Sequence, residues 1–413
     1  MNQTQTQMSE SLKRLEALLD KSPIPEIALR DLKNKINDLR QLIIEKRSPR
    51  FALVGRRGSG KSSLINAIFG EEIAVVGHTG SQTGKAKWFT YTGESGSLDI
   101  LDTRGFQEGS KPYEHDDAAT PVESVLKAIS EKTPDVLLFL VNAKEADAAI
   151  DADIDALCKV SSEVEAITGV RPPIIVIMTH CDLIDPKNVN LHVASEHDPD
   201  DVSEKLQKIK DIEGQLNKKL ASIVELKPQL IAVIGISAYM SWKAGNIRSD
   251  QRWNVEELLT LLIEVLPNQS RLEFARLSQV RKLQIRVASN LSSLFAAVCG
   301  GIAAIPFTAI ADIFPITTLQ ISMVTSIAYV SGKTLSIEMV RNFLLGIGAN
   351  IAGAFVFREA ARALIKLTPF GLPVSAAIAT TATKAIGKAA VAYYIKDESM
   401  DNARAGYQKK GST

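Results

Sequence analysis

The chain has 413 residues, with 48 Lys plus Arg against 47 Asp plus Glu, for a net charge of +1. At ~100–200 residues per domain, this length implies two or three domains with ample material for a buried core. The balance excludes a general polyanion binder while leaving room for a local basic patch. The three cysteines, Cys158, Cys181 and Cys299, lie far from any CxxC spacing, which excludes a disulfide scaffold or a cysteine zinc site and fits a reducing compartment.

In chain order, the N-terminus (MNQTQTQMSESLKRLEALLDK) has no apolar signal core, so secretion is not expected. Residues 1–48 form an N-terminal helical segment in which Leu29, Leu32, Ile36, Leu39 and Ile43 make one apolar stripe, suited to packing on a neighbouring domain. Residues 49–266 alternate β-type runs (51–54, 86–92, 98–101, 136–141, 174–178, 230–236) with helical stretches. Strands separated by helices predict an α/β domain with a six-stranded, mostly parallel sheet covered on both faces. Charge then becomes sparse: residues 287–311 and 313–332 carry none, and shorter uncharged runs follow at 342–357 and 367–383. The boundary is placed at Pro267-Asn268, with an all-α apolar domain over 267–398 and a polar tail over 399–413.

After the first strand comes GRRGSGKS, Gly55 to Ser62, a complete G-x-x-x-x-G-K-[ST] pattern followed by an amphipathic helix. Gly55, Gly58 and Gly60 let the backbone curl so that the N–H groups of Arg56, Arg57, Ser59 and Ser63 and their neighbours converge on phosphate oxygens at a helix N-terminus. Lys61 reaches the β- and γ-phosphates and the Ser62 hydroxyl ligates Mg²⁺. The strand LDILD ends in Asp102, whose carboxylate can hold Mg²⁺ through water, and Gly105 lets its N–H approach the γ-phosphate. In the intervening loop Thr79 and Thr83 both qualify as the hydroxyl that completes the metal shell only when the γ-phosphate is present; Thr83, directly before the second strand, is preferred.

The fifth run leads into Thr179-His180-Cys181-Asp182. A carboxylate at Asp182 accepts from guanine N1–H and the 2-amino group, a pattern adenine does not offer. His180 would cover the base with its flat ring. After the sixth run, a backbone N–H of Ser237-Ala238 would meet guanine O6. The 55 residues from Asp182 to Ser237 exceed what a compact domain needs, and the charged excess (185–228) reads as an inserted helix of unassigned role.

With these five boxes in order, residues 51–238 resemble the Era/TrmE-like branch of P-loop GTPases, the phrase KSSLINAIFGEE…GSQT carrying the likeness. The layout is similar to immunity-related and dynamin-like GTPases, and AAIPFTAIADIFPITTLQISMVTSIAYVSGK looks like the YcjF-type family of unknown function. The resemblance implies GTP and GDP as ligands, Mg²⁺ as cofactor and GTP hydrolysis, slow without a partner or self-association. It also implies a membrane-associated switch or remodelling cycle. Phe106 follows Gly105 where Ras-like enzymes place a water-orienting Gln; Arg57 or Arg56 is a candidate internal arginine finger, and Gln107 a weaker candidate for orienting water. Gly58 stands where K⁺-activated relatives carry Asn.

Runs 287–311 and 313–332 are each long enough to span ~30 Å of hydrocarbon, and residues 281–388 hold ten Lys/Arg against three Asp/Glu. That favours anionic lipid as a partner and a place at the cytoplasmic face of a membrane, peripheral or inserted as a hairpin. The opposing reading is a buried helical bundle, because Thr317, Thr318, Gln320, Ser322, Thr325 and Ser326 make the second run polar. A non-hydrolysing GTP-binding scaffold is the alternative function. A homodimer across the nucleotide face is open, and nucleic acid is not an expected partner because no basic-aromatic module follows residue 266.

Overall fold

A computed structural model describes residues 3–20, 25–56, 58–74, 86–102, 127–146, 150–304, 316–348 and 371–411. The chain divides into two compact units, residues 48–267 and residues 1–47 with 268–413. Two helices open the chain, α1 (Gln3–Leu19) and α2 (Glu26–Ile43), and belong to the second of these units.

The 48–267 unit is built on a six-stranded sheet: β1 (Arg50–Val54), β2 (Lys87–Gly93), β3 (Gly96–Asp102), β4 (Val136–Asn142), β5 (Ile174–Thr179) and β6 (Leu230–Gly235). The order is β2-β3-β1-β4-β5-β6, with β2 antiparallel to β3 and every other pair parallel. This is the mostly parallel α/β sheet that the strand–helix alternation predicts. The central strands β4 and β5 are nearly continuous Val, Ile, Leu and Phe, and all six residues of β5 are buried, as expected of a strand covered on both faces. Its helices include α3 (Lys61–Phe69), α4 (Asp151–Thr168), α5 (Pro199–Ala221) and α6 (Val255–Val265). Helix α4 turns Ile154, Leu157, Val160 and Val164 into the core at helical spacing. The inserted helix α5 starts where Asp198 caps the Asp200 N–H and Pro199 occupies the first turn.

One element has no counterpart in the sequence reading: a hairpin of β7 (Met240–Lys243) and β8 (Asn246–Asp250). Its residues are mostly polar and half exposed, so no apolar run marks it. The signal lies in Ala244-Gly245, which both take positive φ (52° and 79°), the two-residue turn that matches strand twist.

The other unit joins α1 and α2 to α7 (Asn268–Ser278), α8 (Arg281–Ala303), α9 (Ile316–Val330), α10 (Ile337–Gly346), α11 (Gly371–Ala390), a π turn (Val391–Ile395) and α12 (Met400–Gly411). Apolar stripes hold it together, with Met8, Leu12, Leu15 and Leu19 of α1 and Leu32, Ile36, Leu39 and Ile43 of α2 buried. Helices α8 and α11 approach through glycine: a Cβ on Gly300 would lie 2.1 Å from Thr380 Oγ1, and one on Gly387 2.4 Å from Ser292 Oγ. A polar knot adds direction. Glu273 accepts from Lys46 Nζ and from the Tyr329 hydroxyl, both at 2.8 Å, while Lys46 and Arg276 stand over the Tyr329 ring at 3.5 and 4.2 Å.

By length and composition α8 could cross a membrane, and 56% of its apolar window is buried inside the protein. Its exposed face carries Lys282, Arg286, Ser289, Asn290 and Ser293. Helix α9 has 15 residues, about 22 Å at 1.5 Å per residue, shorter than the ~30 Å hydrocarbon core.

Candidate functional site

Because β1, β3, β4, β5 and β6 run parallel, their carboxyl ends share one edge of the sheet. That edge collects Gly55 after β1, Asp102 at the end of β3, Thr179 at the end of β5 and Ser237 just beyond β6. In open α/β sheets ligands bind in the crevice outside these ends.

Gly55 to Gly60 connects β1 to α3. A Cβ on Gly55 would stand 2.6 Å from the Leu140 carbonyl oxygen of β4, so the loop backbone seats directly on the sheet. Gly60 caps α3 in the left-handed conformation (φ 88°, ψ 16°), which turns the chain into the helix and frees its first N–H groups. Lys61 is buried, and its ammonium donates to the carbonyls of Gly55 (2.5 Å) and Arg56 (2.7 Å), with Ser59 Oγ at 3.5 Å. The cation thus lies inside its own loop. Ser62 and Ser63 sit half-buried in the first turn of α3, and Gly58 is exposed. Arg56 turns aside: its Nε lies 2.9 and 2.7 Å from the two carboxylate oxygens of Asp153 in the first turn of α4. Among the P-loop arginines, Arg56 is therefore engaged away from a finger role, while Arg57 lies outside the described residues.

Asp102 is half-buried and pairs in register with Leu53 of β1, immediately beside the loop. A serine hydroxyl and a carboxylate flanking a phosphate cradle are hard oxygen donors, the set that suits Mg²⁺. Thr79, Thr83, Gly105, Phe106 and Gln107 lie outside the described residues.

The β5 end is bonded to the P-loop. Thr179 Oγ1 donates to the Ser59 carbonyl at 2.9 Å and lies 2.9 Å from His180 Nδ1. The Val141 carbonyl lies 3.3 Å from the same hydroxyl, so Thr179 is anchored between β4, the P-loop and His180. His180 takes a left-handed backbone (φ 61°, ψ 31°), and a Cβ on Gly60 would lie 3.4 Å from its ring. The imidazole thus stands beside the P-loop glycine. Cys181 is buried, donates its N–H to the Ile236 carbonyl at 3.2 Å, and has its thiol pushed up by burial and the nearby Glu213 and Asp182 carboxylates. Asp182 is half-buried in the turn that follows. Beyond β6, the Ser237 N–H donates to the Trp253 carbonyl at 3.1 Å and its own carbonyl accepts from Trp253 N–H at 3.0 Å, so the Ser237 N–H is already engaged. Ala238 is buried next to it.

Two charged side chains of α5 that look solvated in sequence are drawn into this edge. Lys205 is fully buried against the turn after Asp182, and Glu213 accepts the Gly235 N–H at 2.6 Å. Only the coincidence of a helical insertion with the interval between two base-facing boxes points to them beforehand.

A parallel sheet with a glycine loop, buried lysine and helix N-terminus at its carboxyl edge defines a P-loop nucleotide-binding domain. A family model described as 50S ribosome-binding GTPase matches residues 50–180, and this part of the chain is a P-loop GTPase domain with GTPase Der among its relatives. GTPase Der of Streptococcus uberis is 33% identical over 132 residues, which are 32% of this chain and 26% of that protein. GTPase Der of a Geobacillus species is 39% identical over 97 residues, 23% of this chain and 21% of that protein. The chain thus spans about a quarter of the length of these curated relatives. Among solved structures, a dimerization-deficient mutant of Toc33 from Arabidopsis thaliana is 20% identical, covering 60% of this chain and 95% of that one with a TM-score of 0.34. Era in complex with MgGDPNP and a segment of 16S ribosomal RNA is 18% identical, covering 62% and 68%, with a TM-score of 0.32.

Proposed function

We propose that the protein binds GTP with Mg²⁺ and hydrolyses it to GDP and phosphate, and that the helical unit attaches this cycle to an anionic membrane surface. The observation that carries the first half is the bonded continuity of the carboxyl edge: Lys61 inside the glycine loop, and Thr179 tying the base-reading segment to Ser59 of the same loop.

In this reading the loop N–H groups and Lys61 hold the phosphates, the ammonium exchanging its carbonyl partners for phosphate oxygens. Ser62 and Asp102, with Thr83 as the candidate third donor, would hold Mg²⁺, which would supply neutralisation of charge on the phosphate oxygens. Asp182 reads guanine N1–H and the 2-amino group, His180 lies along the base, and the O6 contact falls to the Ala238 N–H because the Ser237 N–H serves Trp253. Gly105 is the sequence candidate for a backbone N–H toward the γ-phosphate. Water attacks the γ-phosphorus in line as the bond to the β–γ bridging oxygen breaks. Arg57 is the candidate for neutralising the transition state, since Arg56 serves Asp153. Phe106 takes the position after Gly105 where a water-orienting glutamine would stand, leaving Gln107 as the weaker candidate, so turnover is slow until a partner or self-association completes the site.

Peripheral membrane attachment is supported by the excess of basic residues over 281–388 and by Lys282 and Arg286 on the exposed face of α8. The polar outward face of α8 favours this form over hairpin insertion. The likeness of this region to the YcjF-type family and of the layout to dynamin-like and immunity-related GTPases belongs to the same proposal.

Phosphate release from GTP by the full chain, with and without Mg²⁺ and anionic liposomes, tests the enzymatic half. The expected result is Mg²⁺-dependent release that falls about 10²–10³-fold in Lys61→Ala, and no release under any condition leaves the non-hydrolysing scaffold instead. Washing membranes with high salt and then carbonate tests attachment: release by salt is expected, and retention through carbonate contradicts the peripheral form.

A further inference from the structure

We propose that the inserted helix α5 sets guanine selectivity, with Lys205 and Glu213 as positioning residues that fix the two base-facing segments against each other. The proposal rests on the reading of Asp182 and Ala238 as guanine contacts.

Residues 205, 209 and 213 fall at i, i+4 and i+8 and share one helix face. Lys205 is fully buried, and its Nζ donates to the carbonyls of Asp182 (2.9 Å), Pro186 (3.1 Å) and Val189 (2.8 Å). Three partners match the three ammonium protons, and all three lie in the turn that begins at the base-reading carboxylate. Burial pulls the Lys205 ammonium below its usual range, against the attraction of Asp182, Cys181 and Asp185. A charge buried at that cost is a device for holding a loop, since removing it strands three carbonyls at once.

One turn on, Ile209 closes on β6: a Cβ on Gly235 would meet Ile209 Cγ2, Cys181 Sγ and Met178 Cε, each at 3.0 Å. A further turn on, Glu213 Oε1 accepts the Gly235 N–H at 2.6 Å, while the Gly235 carbonyl accepts from Asn254 Nδ2 at 2.8 Å. Gly235 stands two residues before Ser237, so this bond fixes the height of the Ser237-Ala238 backbone. Helix α5 therefore grips the Asp182 turn at one end of its face and the Ala238 approach at the other. It touches neither the P-loop nor Asp102 among the bonds described, so its influence falls on the base rather than on the phosphates.

The test measures affinity for GDP and for ADP by titration calorimetry on the full chain as wild type, Asp182→Asn, Lys205→Met and Glu213→Gln. Lys205→Met is expected to weaken GDP binding about tenfold to a hundredfold while leaving ADP binding unchanged, the phosphate half being untouched. Glu213→Gln keeps the shape and one acceptor oxygen, so it folds, and it is expected to lower the GDP-over-ADP ratio by about threefold to tenfold. A merely structural helix would weaken both nucleotides equally. If Lys205→Met fails to fold, Glu213→Gln decides: an unchanged ratio overturns the proposal. If the wild type shows no guanine preference, the reading of Asp182 falls and the proposal with it. If wild type prefers GDP, Asp182→Asn loses the preference, and both α5 variants keep it in full, the proposal alone is overturned.

Discussion

The two units use opposite devices to place polar groups in a protein interior. In the 48–267 unit most buried charges among the described residues lie at or near the sheet edge that carries the site: Lys61 is closed around by its own loop, Asp153 holds Arg56, and Lys205 is saturated by three carbonyls, while Asp99, opposite Arg50 at the start of β1, is held by Lys132 and Thr90. In the helical unit close approaches are made by small residues, Gly300 on Thr380 and Gly387 on Ser292, and a dense polar knot, Glu273 with Lys46 and Tyr329, ties α2's end to α7 and α9. Buried charge costs desolvation that only dense hydrogen bonding offsets, so its concentration in one unit marks where geometry matters to chemistry. Packing by glycine marks where only proximity matters.

The contrast breaks most visibly at Lys61. Lys61→Ala removes the only side-chain cation the loop encloses among the described residues, and GTP turnover is expected to fall about 10²–10³-fold while the helical unit keeps its stability. Phosphate release together with circular dichroism checks both halves. On the other side, Gly387→Val drives a side chain onto Ser292 and is expected to cost about 1–3 kcal/mol in chemical denaturation, leaving GDP affinity unaltered. A loss of nucleotide binding there would show that the units do not divide the labour. Tyr329→Phe removes a hydroxyl that donates to the Glu273 carboxylate and should cost about 1.5 kcal/mol by the same measurement. The smallest effect is expected at the exposed Asp31–Lys35 pair of α2, where Asp31→Asn should shift stability by no more than about 0.5 kcal/mol.

The fold of the nucleotide unit is legible in sequence because its central strands β1, β4 and β5 are buried and read as nearly unbroken apolar runs; the P-loop is legible because its spacing carries its own geometry. Hydrophobic patterning has nothing to say about the β7–β8 hairpin, whose residues are polar and whose sign is an Ala-Gly turn. Lys205 and Glu213 are hidden for a related reason: on a highly charged helix they look like solvated surface, and only the tertiary path of the Asp182 turn and of Gly235 draws them inside. The N-terminal stripe of α2 is visible from its spacing, but that its unit includes the C-terminal helices follows from which apolar faces cover it, which no local pattern specifies.

The central claim is that Gly55 to Ser62 holds the phosphates of a guanine nucleotide whose base is read by Asp182. Asp182→Asn exchanges an acceptor for a donor at the base, so hydrolysis of GTP and of XTP by wild type and variant tests it directly. Wild type should favour GTP over XTP, and the variant XTP over GTP, the ratio inverting by about 10³-fold or more. A wild type that hydrolyses ATP as well as GTP, or a variant that keeps the preference for GTP, would contradict it.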